Sequence, residues 1–279
     1  MGMQINNNLM ANNAYRSLNA TQDTLAKSME KLSSGLRINR AADDAAGLAI
    51  SEGLKSQVSG SSVAARNAQD GISIIQTTEG ALTEVHSVLQ RMRDLAVQGA
   101  SDSNNADART AIKTEADSLG KELDRITQST NFNGIDLLKG GAALNIQVGT
   151  AGSANDVIAV NLGDVATAAG TLSGAAGATG FDVTTNANAQ TTITAIDAAI
   201  KAVSTQRSDL GASQNRLDHA IKSLNVAGEN LQAAQSRIAD TDMAAEMVKY
   251  TKANILSQAG TAMLAQANQS GQGVLSLLR

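Results

Sequence analysis

From the N-terminus, apolar side chains recur alternately four and three residues apart, at Ala11, Tyr15, Leu18, Gln22, Leu25, Met29, Leu32 and Leu36. That spacing is an a/d seam several heptads long, with one polar position at Gln22, and it predicts an amphipathic helix. Gly35 falls near its end, and the polar stretch Arg37 to Asp44 follows. Asp43-Asp44 ahead of Ala45-Ala46 reads as the next helix start, because carboxylates favour the positive end of the helix dipole. A second long helix is predicted from about Ala45 to Gln98, although Gly47, Gly53, Gly60 and Gly71 each weaken it. Within it Ile75, Thr78, Leu82, Val85, Leu89, Met92 and Ala96 repeat the four/three spacing, and Val88 and Leu95 widen the face. The turn-forming run from Gly99 to Asn105 ends it. A third helix follows from about Ala106 to Ser129, with Ile112, Ala116, Leu119, Leu123 and Ile126 on one face. Its exit, Asn131-Phe132-Asn133-Gly134, carries an Asn-Gly turn signal.

The texture then changes. Ten of the 24 glycines lie between Gly134 and Gly180, and the apolar period shortens to two at Leu144, Ile146, Val148 and again at Ile158, Val160, Leu162. Two or three hairpins are expected, too weakly hydrophobic to make a substantial domain alone. From about Thr191 the helical pattern returns. Ile196, Val203, Leu210, Leu217, Leu224, Leu231 and Ile238 fall at every seventh residue, while the complementary ridge from Ile200 to Gln235 is mixed. Ala239-Asp240-Thr241-Asp242 breaks the register and offers caps for a last helix. That helix carries Met247, Val248, Ile255, Leu256, Met263, Leu264, Val274, Leu277 and Leu278 on a broad apolar face.

The fold class that follows is mainly α: an elongated bundle of long antiparallel heptad-patterned helices with a small β-hairpin region in the middle of the chain. The end segments, 1–40 and 243–279, have only each other to pack against. They are expected to be poorly ordered in a monomer and to become helical on assembly. The physical reading is a self-associating bundle.

Composition narrows the chemistry. The 279 residues include no proline, cysteine or tryptophan, and only two Tyr and two Phe. Without proline no helix is forced to kink, and small aliphatic residues suit closely packed helices. Without cysteine there is no disulfide scaffold, zinc ribbon or thiol nucleophile. A net charge of −4 leaves no electrostatic footprint for nucleic acid. No apolar run is long enough for membrane insertion. The start, Met1 to Asn8, has neither a basic nor an apolar segment of the Sec type, so secretion would need another route.

Only two histidines occur, His86 and His219, each inside a heptad helix with no nucleophile or metal partner in register. There is no His-Glu-x-x-His and no phosphate loop. Asp43-Asp44 lacks the spacing of a calcium loop. The sequons at Asn19 and Asn268 fall inside predicted seams, and the Lys/Arg residues read as solvated faces. No catalytic, cofactor or metal site is expected, so the chain reads as no enzyme.

Two stretches carry a resemblance. Lys31-Leu32-Ser33-Ser34-Gly35-Leu36-Arg37-Ile38-Asn39 continues through Asp43-Asp44-Ala45-Ala46-Gly47-Leu48-Ala49-Ile50. Near the other end stand Asn254-Ile255-Leu256-Ser257-Gln258-Ala259-Gly260, Met263-Leu264-Ala265-Gln266-Ala267-Asn268 and Val274-Leu275-Ser276-Leu277-Leu278-Arg279. Together they resemble the two ends of bacterial flagellin, through residues 1–140 and 190–279. The resemblance implies inner-tube helices at 1–45 and 240–279, a rod domain at 46–140 and 191–239, and a minimal central region at 141–190. It implies filament assembly through Leu18, Leu25, Leu32, Leu36, Ile255, Leu256, Met263, Leu264, Val274, Leu277 and Leu278, with Leu210, Leu217, Leu224 and Leu231 as the rod seam.

The implied partners are copies of the chain itself, an export chaperone, the flagellar type III export gate, the filament cap and the hook–filament junction proteins. The implied location is the extracellular flagellum. Leu89 to Gln98 resembles the segment read by the animal Toll-like flagellin receptor: Arg91 and Leu95 match, Glu115 matches a third contact, and Asp94 stands where Glu is common. Arg91 and Leu95 are expected on the outer flank of the seam. The Leu275, Leu277, Leu278, Arg279 terminus resembles the part read by cytosolic inflammasome receptors. One departure is that Gln269-Ser270-Gly271-Gln272-Gly273 lacks the proline many flagellins have there. The alternatives are a hook–filament junction protein of the same family and, less favoured, a flagellin carrying an enzymatic insert.

Overall fold

The structure is a computed structural model that describes residues 8–170, 172 and 180–277, with the side chains of 168, 169 and 270–277 left aside. Its elements are α1 (Leu9–Ser34), α2 (Ala45–Gly99), α3 (Ala106–Ser129), β1 (Asn131–Phe132), β2 (Ile135–Asp136), β3 (Leu144–Gln147), β4 (Val157–Val160), α4 (Val165–Gly170), α5 (Asn186–Ala239) and α6 (Met243–Leu277). The mainly α reading holds, and α2 and α3 run almost residue for residue where the periodicity places them. Helix α5 begins at Asn186, about five residues before the start near Thr191 that the pattern predicts.

The helix starts follow cap chemistry. Asn8 Oδ1 accepts from the Ala11 N–H at 3.0 Å, Asp44 Oδ1 from Gly47 at 2.8 Å, Asn105 Oδ1 from Ala108 at 2.8 Å and Asp242 Oδ1 from Ala245 at 3.1 Å. Each satisfies one of the N–H groups a helix leaves without an internal partner. Helix α1 ends on Gly35 in the left-handed region, φ 74°, its N–H returning to the Lys31 carbonyl.

Contacts group the chain into two compact units: Met1–Val58 with Glu229–Arg279, and Ser59–Gly228. The division falls inside α2 and α5, whereas sequence reading sets its boundaries at the helix breaks near 45 and 240.

In Ser59–Gly228 the heptad positions are filled with large aliphatic side chains. Ile75, Leu82, Val85, Leu89 and Met92 of α2, Leu123 of α3, and Ile196 and Val203 of α5 have no exposed surface, and Leu210 and Leu217 are equally buried. The ridge weakens past that point, since Leu224 and Leu231 are only half-buried. Gly71 shows why a helix-weakening residue is retained: a Cβ there would sit 3.2 Å from both Ile146 and Leu217. Local propensity yields to close packing.

The centre of the chain folds as two hairpins. In β1–β2, Phe132 pairs with Ile135 across a turn in which Asn133 and Gly134 both take positive φ, 50° and 80°. That is the conformation for which Asn-Gly is suited. The β3–β4 hairpin pairs Leu144 with Val160 and Gln147 with Val157. Ile158, Val160, Leu162, Val165, Leu172, Phe181 and Val183 join the same core as α2, α3 and α5. The centre is therefore a cover on the helices rather than a domain of its own.

Candidate assembly surface and receptor motif

Helices α1 and α6 pack on each other, with small residues interleaved among larger ones between them. The inward positions of α6 are Glu246, Tyr250, Ala253, Ser257, Gly260, Leu264 and Ala267, alternating four and three apart. Those of α1 are Ala11, Ala14, Leu18, Thr21, Leu25, Ser28 and Leu32. Sequence reading assigns the second row of α1 to Tyr15, Gln22, Met29 and Leu36. The structure moves that row back by one residue, onto Ala14, Thr21, Ser28 and Gly35. The physical reason is distance: small side chains let two helices approach closely, and Leu18 would lie 3.2 Å from a Cβ on Gly260.

The large apolar side chains are thereby turned outward. Tyr15 is 56% exposed and Met29 51%. Of the predicted assembly residues, Leu18 is buried and Leu25, Leu32 and Leu264 are half-buried within the pair, whereas Leu36, Ile255, Leu256 and Met263 are exposed. The side chains of Val274 and Leu277, and Leu278 and Arg279 altogether, lie outside the described residues. Leu9–Ser34 and Met243–Leu277 are helical, and each supplies the other's seam.

One carboxylate is enclosed in that seam. Glu246 accepts from the Ser28 hydroxyl of α1 at 2.6 Å and from Lys249 Nζ at 3.0 Å. The Ser28 hydrogen bond, helped by Lys249 and Lys31, holds the carboxyl below its ordinary range against the opposing effect of burial. Sequence reading missed Ser28 and Glu246. The signal was present in Glu246, Ala253, Gly260 and Ala267, a seven-residue repeat of small residues broken by a single charge.

The short connections beside this pair run antiparallel to one another. Arg37 N–H donates to the Ala239 carbonyl at 2.6 Å, and Thr241 N–H donates to that of Gly35 at 2.9 Å. The Arg37 guanidinium reaches the Ile238 carbonyl through Nε at 3.1 Å and Nη2 at 2.7 Å. Asp43 accepts from the N–H groups of Arg40 and Asn39, which lowers its pKa. A Cβ on Gly47 would collide with the Asp44 carboxylate and come within 2.8 Å of Ile38, so the Asp-Asp-Ala-Ala-Gly run is a closely fitted joint.

The receptor-like motif divides in two. Arg91 and Glu115 meet in an ion pair, Nη2 to Oε1 at 2.6 Å, with side chains 55% and 47% exposed. Leu95 is not on the outer flank as expected: it is 2% exposed in the core. It belongs to the same buried cluster as Met92 and Ala96 of α2, Leu123 of α3 and Ile196 of α5. Asp94 is exposed.

Nothing among the described residues resembles a catalytic or metal centre. No group of three or more His, Asp or Glu side chains could hold a metal ion, and no helix is long and apolar enough to cross a membrane. His86 Nε2 lies 2.9 Å from the Gln90 side chain, a neighbour one turn along the same helix.

Residues 5–143 match the model of the bacterial flagellin N-terminal helical region, and residues 193–278 that of the bacterial flagellin C-terminal helical region. A flagellin of Halalkalibacterium halodurans is 52% identical over 99% of this chain and its own full length. A Bacillus subtilis flagellin is 47% identical, and a flagellar filament 33 kDa core protein of Treponema phagedenis 48%, each again over 99% of this chain and the whole of the relative. A solved structure of a putative flagellar hook-associated protein from Vibrio parahaemolyticus shares the fold, with a TM-score of 0.58 over 71% of this chain and all of that one, at 15% identity. With both helical regions matched and relatives covered along their whole length, the chain belongs to the bacterial flagellin family, the structural proteins of the extracellular flagellar filament.

Proposed function

We propose that subunits join through the uncovered faces of α1 and α6, each pair packing on the same pair of neighbouring copies to form the inner wall of the filament. One observation carries this reading: a two-helix unit leaves Met10 73%, Val248 69%, Met263 68% and Ile255 61% exposed. Burying such a side chain contributes about 1.5–3 kcal/mol, so covering several together drives association. In this reading Leu18, Leu25, Leu32 and Leu264 hold the pair together, while Leu36, Ile255, Leu256 and Met263 make the contacts between copies. Val274, Leu277 and Leu278 extend the same face on the strength of the sequence.

The same faces give the other partners their place. The export chaperone covers the apolar side of α6 before assembly, and the type III gate passes the chain out. Joining then takes place beneath the filament cap, on a base of hook–filament junction proteins. The exposed Arg91–Glu115 pair offers the Toll-like receptor a charged handle, and the C-terminal Leu275, Leu277, Leu278 and Arg279 are the part inflammasome receptors read.

Deleting residues 243–279 tests the assembly reading. The truncated chain is expected to stay monomeric in sedimentation while the α2, α3 and α5 core keeps its cooperative melting. Normal filaments from it under negative stain would overturn the proposal.

A further inference from the structure

The chain has no cysteine, so its oxidisable sulfur lies in eight methionines. Met1 and Met3 fall outside the described residues, and the other six form two groups. Met92 is 0% exposed in the core of Ser59–Gly228. Met10, Met29, Met243, Met247 and Met263 all lie on α1 and α6 and are between 48% and 73% exposed. Met10 and Met263 border one groove of about 550 Å³ between the two helices, with Leu18 and Leu256 in its wall. Met247 borders another of about 440 Å³ with Val248, Ile255 and Leu256. A leucine would give similar apolar cover, but a thioether also presents an atom open to oxygen-transfer reagents.

We propose that these five methionines form an oxidation site, and that converting them to sulfoxides in the free subunit blocks polymerisation. With hydrogen peroxide, the sulfur lone pair attacks one peroxide oxygen and the O–O bond breaks. The sulfur keeps that oxygen and is oxidised by two electrons, while the other oxygen takes up the proton and leaves as water. The sulfoxide is polar, and joining would have to desolvate it against Ile255 and Leu256 of a neighbouring copy. Subunits already in a filament have these sulfurs covered, so oxidant acts on subunits before they join. This inference rests on the assembly reading above.

The test exposes the full-length subunit to hydrogen peroxide, maps sulfoxides by peptide mass spectrometry, and follows seeded polymerisation by light scattering. The five are expected to oxidise ahead of Met92, with melting of the Ser59–Gly228 unit unchanged. The critical concentration should rise roughly tenfold, and methionine sulfoxide reductases should reverse the rise. A variant with all five replaced by leucine should keep polymerising after peroxide. If that variant does not polymerise untreated, reductase rescue of the original chain decides. Oxidised subunits that polymerise as well as untreated ones, failure of the rescue, or equal peroxide sensitivity in the leucine variant would each overturn the oxidation proposal. Failure of the assembly reading shows differently: the five sulfurs would then oxidise as fast in filaments as in free subunits.

Discussion

In Ser59–Gly228 the inward heptad positions hold Ile, Leu, Val and Met, and most outward ones are polar, with Val63, Val97 and Val226 exposed. In the α1–α6 pair the inward positions interleave Ala, Ser, Thr and Gly with Leu18, Leu25, Leu32 and Leu264, while Met, Ile and Val face out. The period is the same, but the inside is smaller and the outside more apolar. The first arrangement is complete in one chain. The second leaves apolar surface exposed among the described residues. A heptad pattern thus gives the spacing of a seam, and side-chain size decides whether the seam closes within the molecule or between molecules.

The same substitution placed in both regions separates them most widely. Leu217→Asp puts a charge where no surface is exposed and should cost about 4 kcal/mol or more, melting Ser59–Gly228 at a much lower temperature. Ile255→Asp falls on a residue 61% exposed and should change stability by less than about 0.5 kcal/mol, yet abolish filaments. Thermal melts by circular dichroism and negative-stain images of both variants check the pair. An unchanged midpoint for Leu217→Asp, or filaments from Ile255→Asp, would erase the contrast.

Within the receptor-like motif the contrast recurs on a smaller scale. Leu95→Ala should cost about 2–4 kcal/mol as a core truncation, whereas Arg91→Ala removes an exposed ion pair and should cost less than about 1 kcal/mol. If the receptor reads the surface, Arg91→Ala lowers the monomer's signal in reporter cells with the fold intact. Leu95→Ala should act only in proportion to its loss of structure.

The enclosed carboxylate gives a finer test. Glu246 has a lowered pKa in the folded chain, so the stability it contributes is present above the ordinary carboxylate range. It is lost as pH falls below about 4.3 and through the folded value. Helical signal from the α1–α6 pair should therefore fall in acid, and Glu246→Gln should flatten that part of the profile. Ser28→Ala, which removes the principal hydrogen bond, should weaken the pair by about 1.5 kcal/mol at neutral pH. An identical acid profile in the Gln variant would assign the loss to other carboxylates.

Much of this was legible in the residues. The starts of α2 and α6 were written in Asp44 and Asp242, and the first hairpin in Asn133-Gly134. The buried ridge of α5 was written in the leucines at seven-residue intervals. These signals are local or strictly periodic, and they need no partner to be read. The side facing inward on α1 was not legible, because hydrophobicity marks Tyr15 and Met29 for burial while close approach selects Ala14, Thr21 and Ser28. Leu95 was misplaced for a related reason. The buried stripe on α2 takes in Leu95 as well as Met92 and Ala96, and a seam of four/three spacing marks out a narrower face. The Ser28–Glu246 contact depends on residues far apart in the chain, and no single segment announces it.

The joint at Gly35 to Arg37 and Ala239 to Thr241 has a further consequence for length. Its two backbone hydrogen bonds close everything between Leu36 and Asp240 into one large ring. The entropy of closing a ring grows only with the logarithm of its size, so doubling it costs only about 0.6 kcal/mol. Extra residues in the hairpin region enlarge the ring at little thermodynamic cost, provided the clasp is kept. Relatives can then differ in the bulk they carry between the helices while the clasp and both helix ends stay the same size.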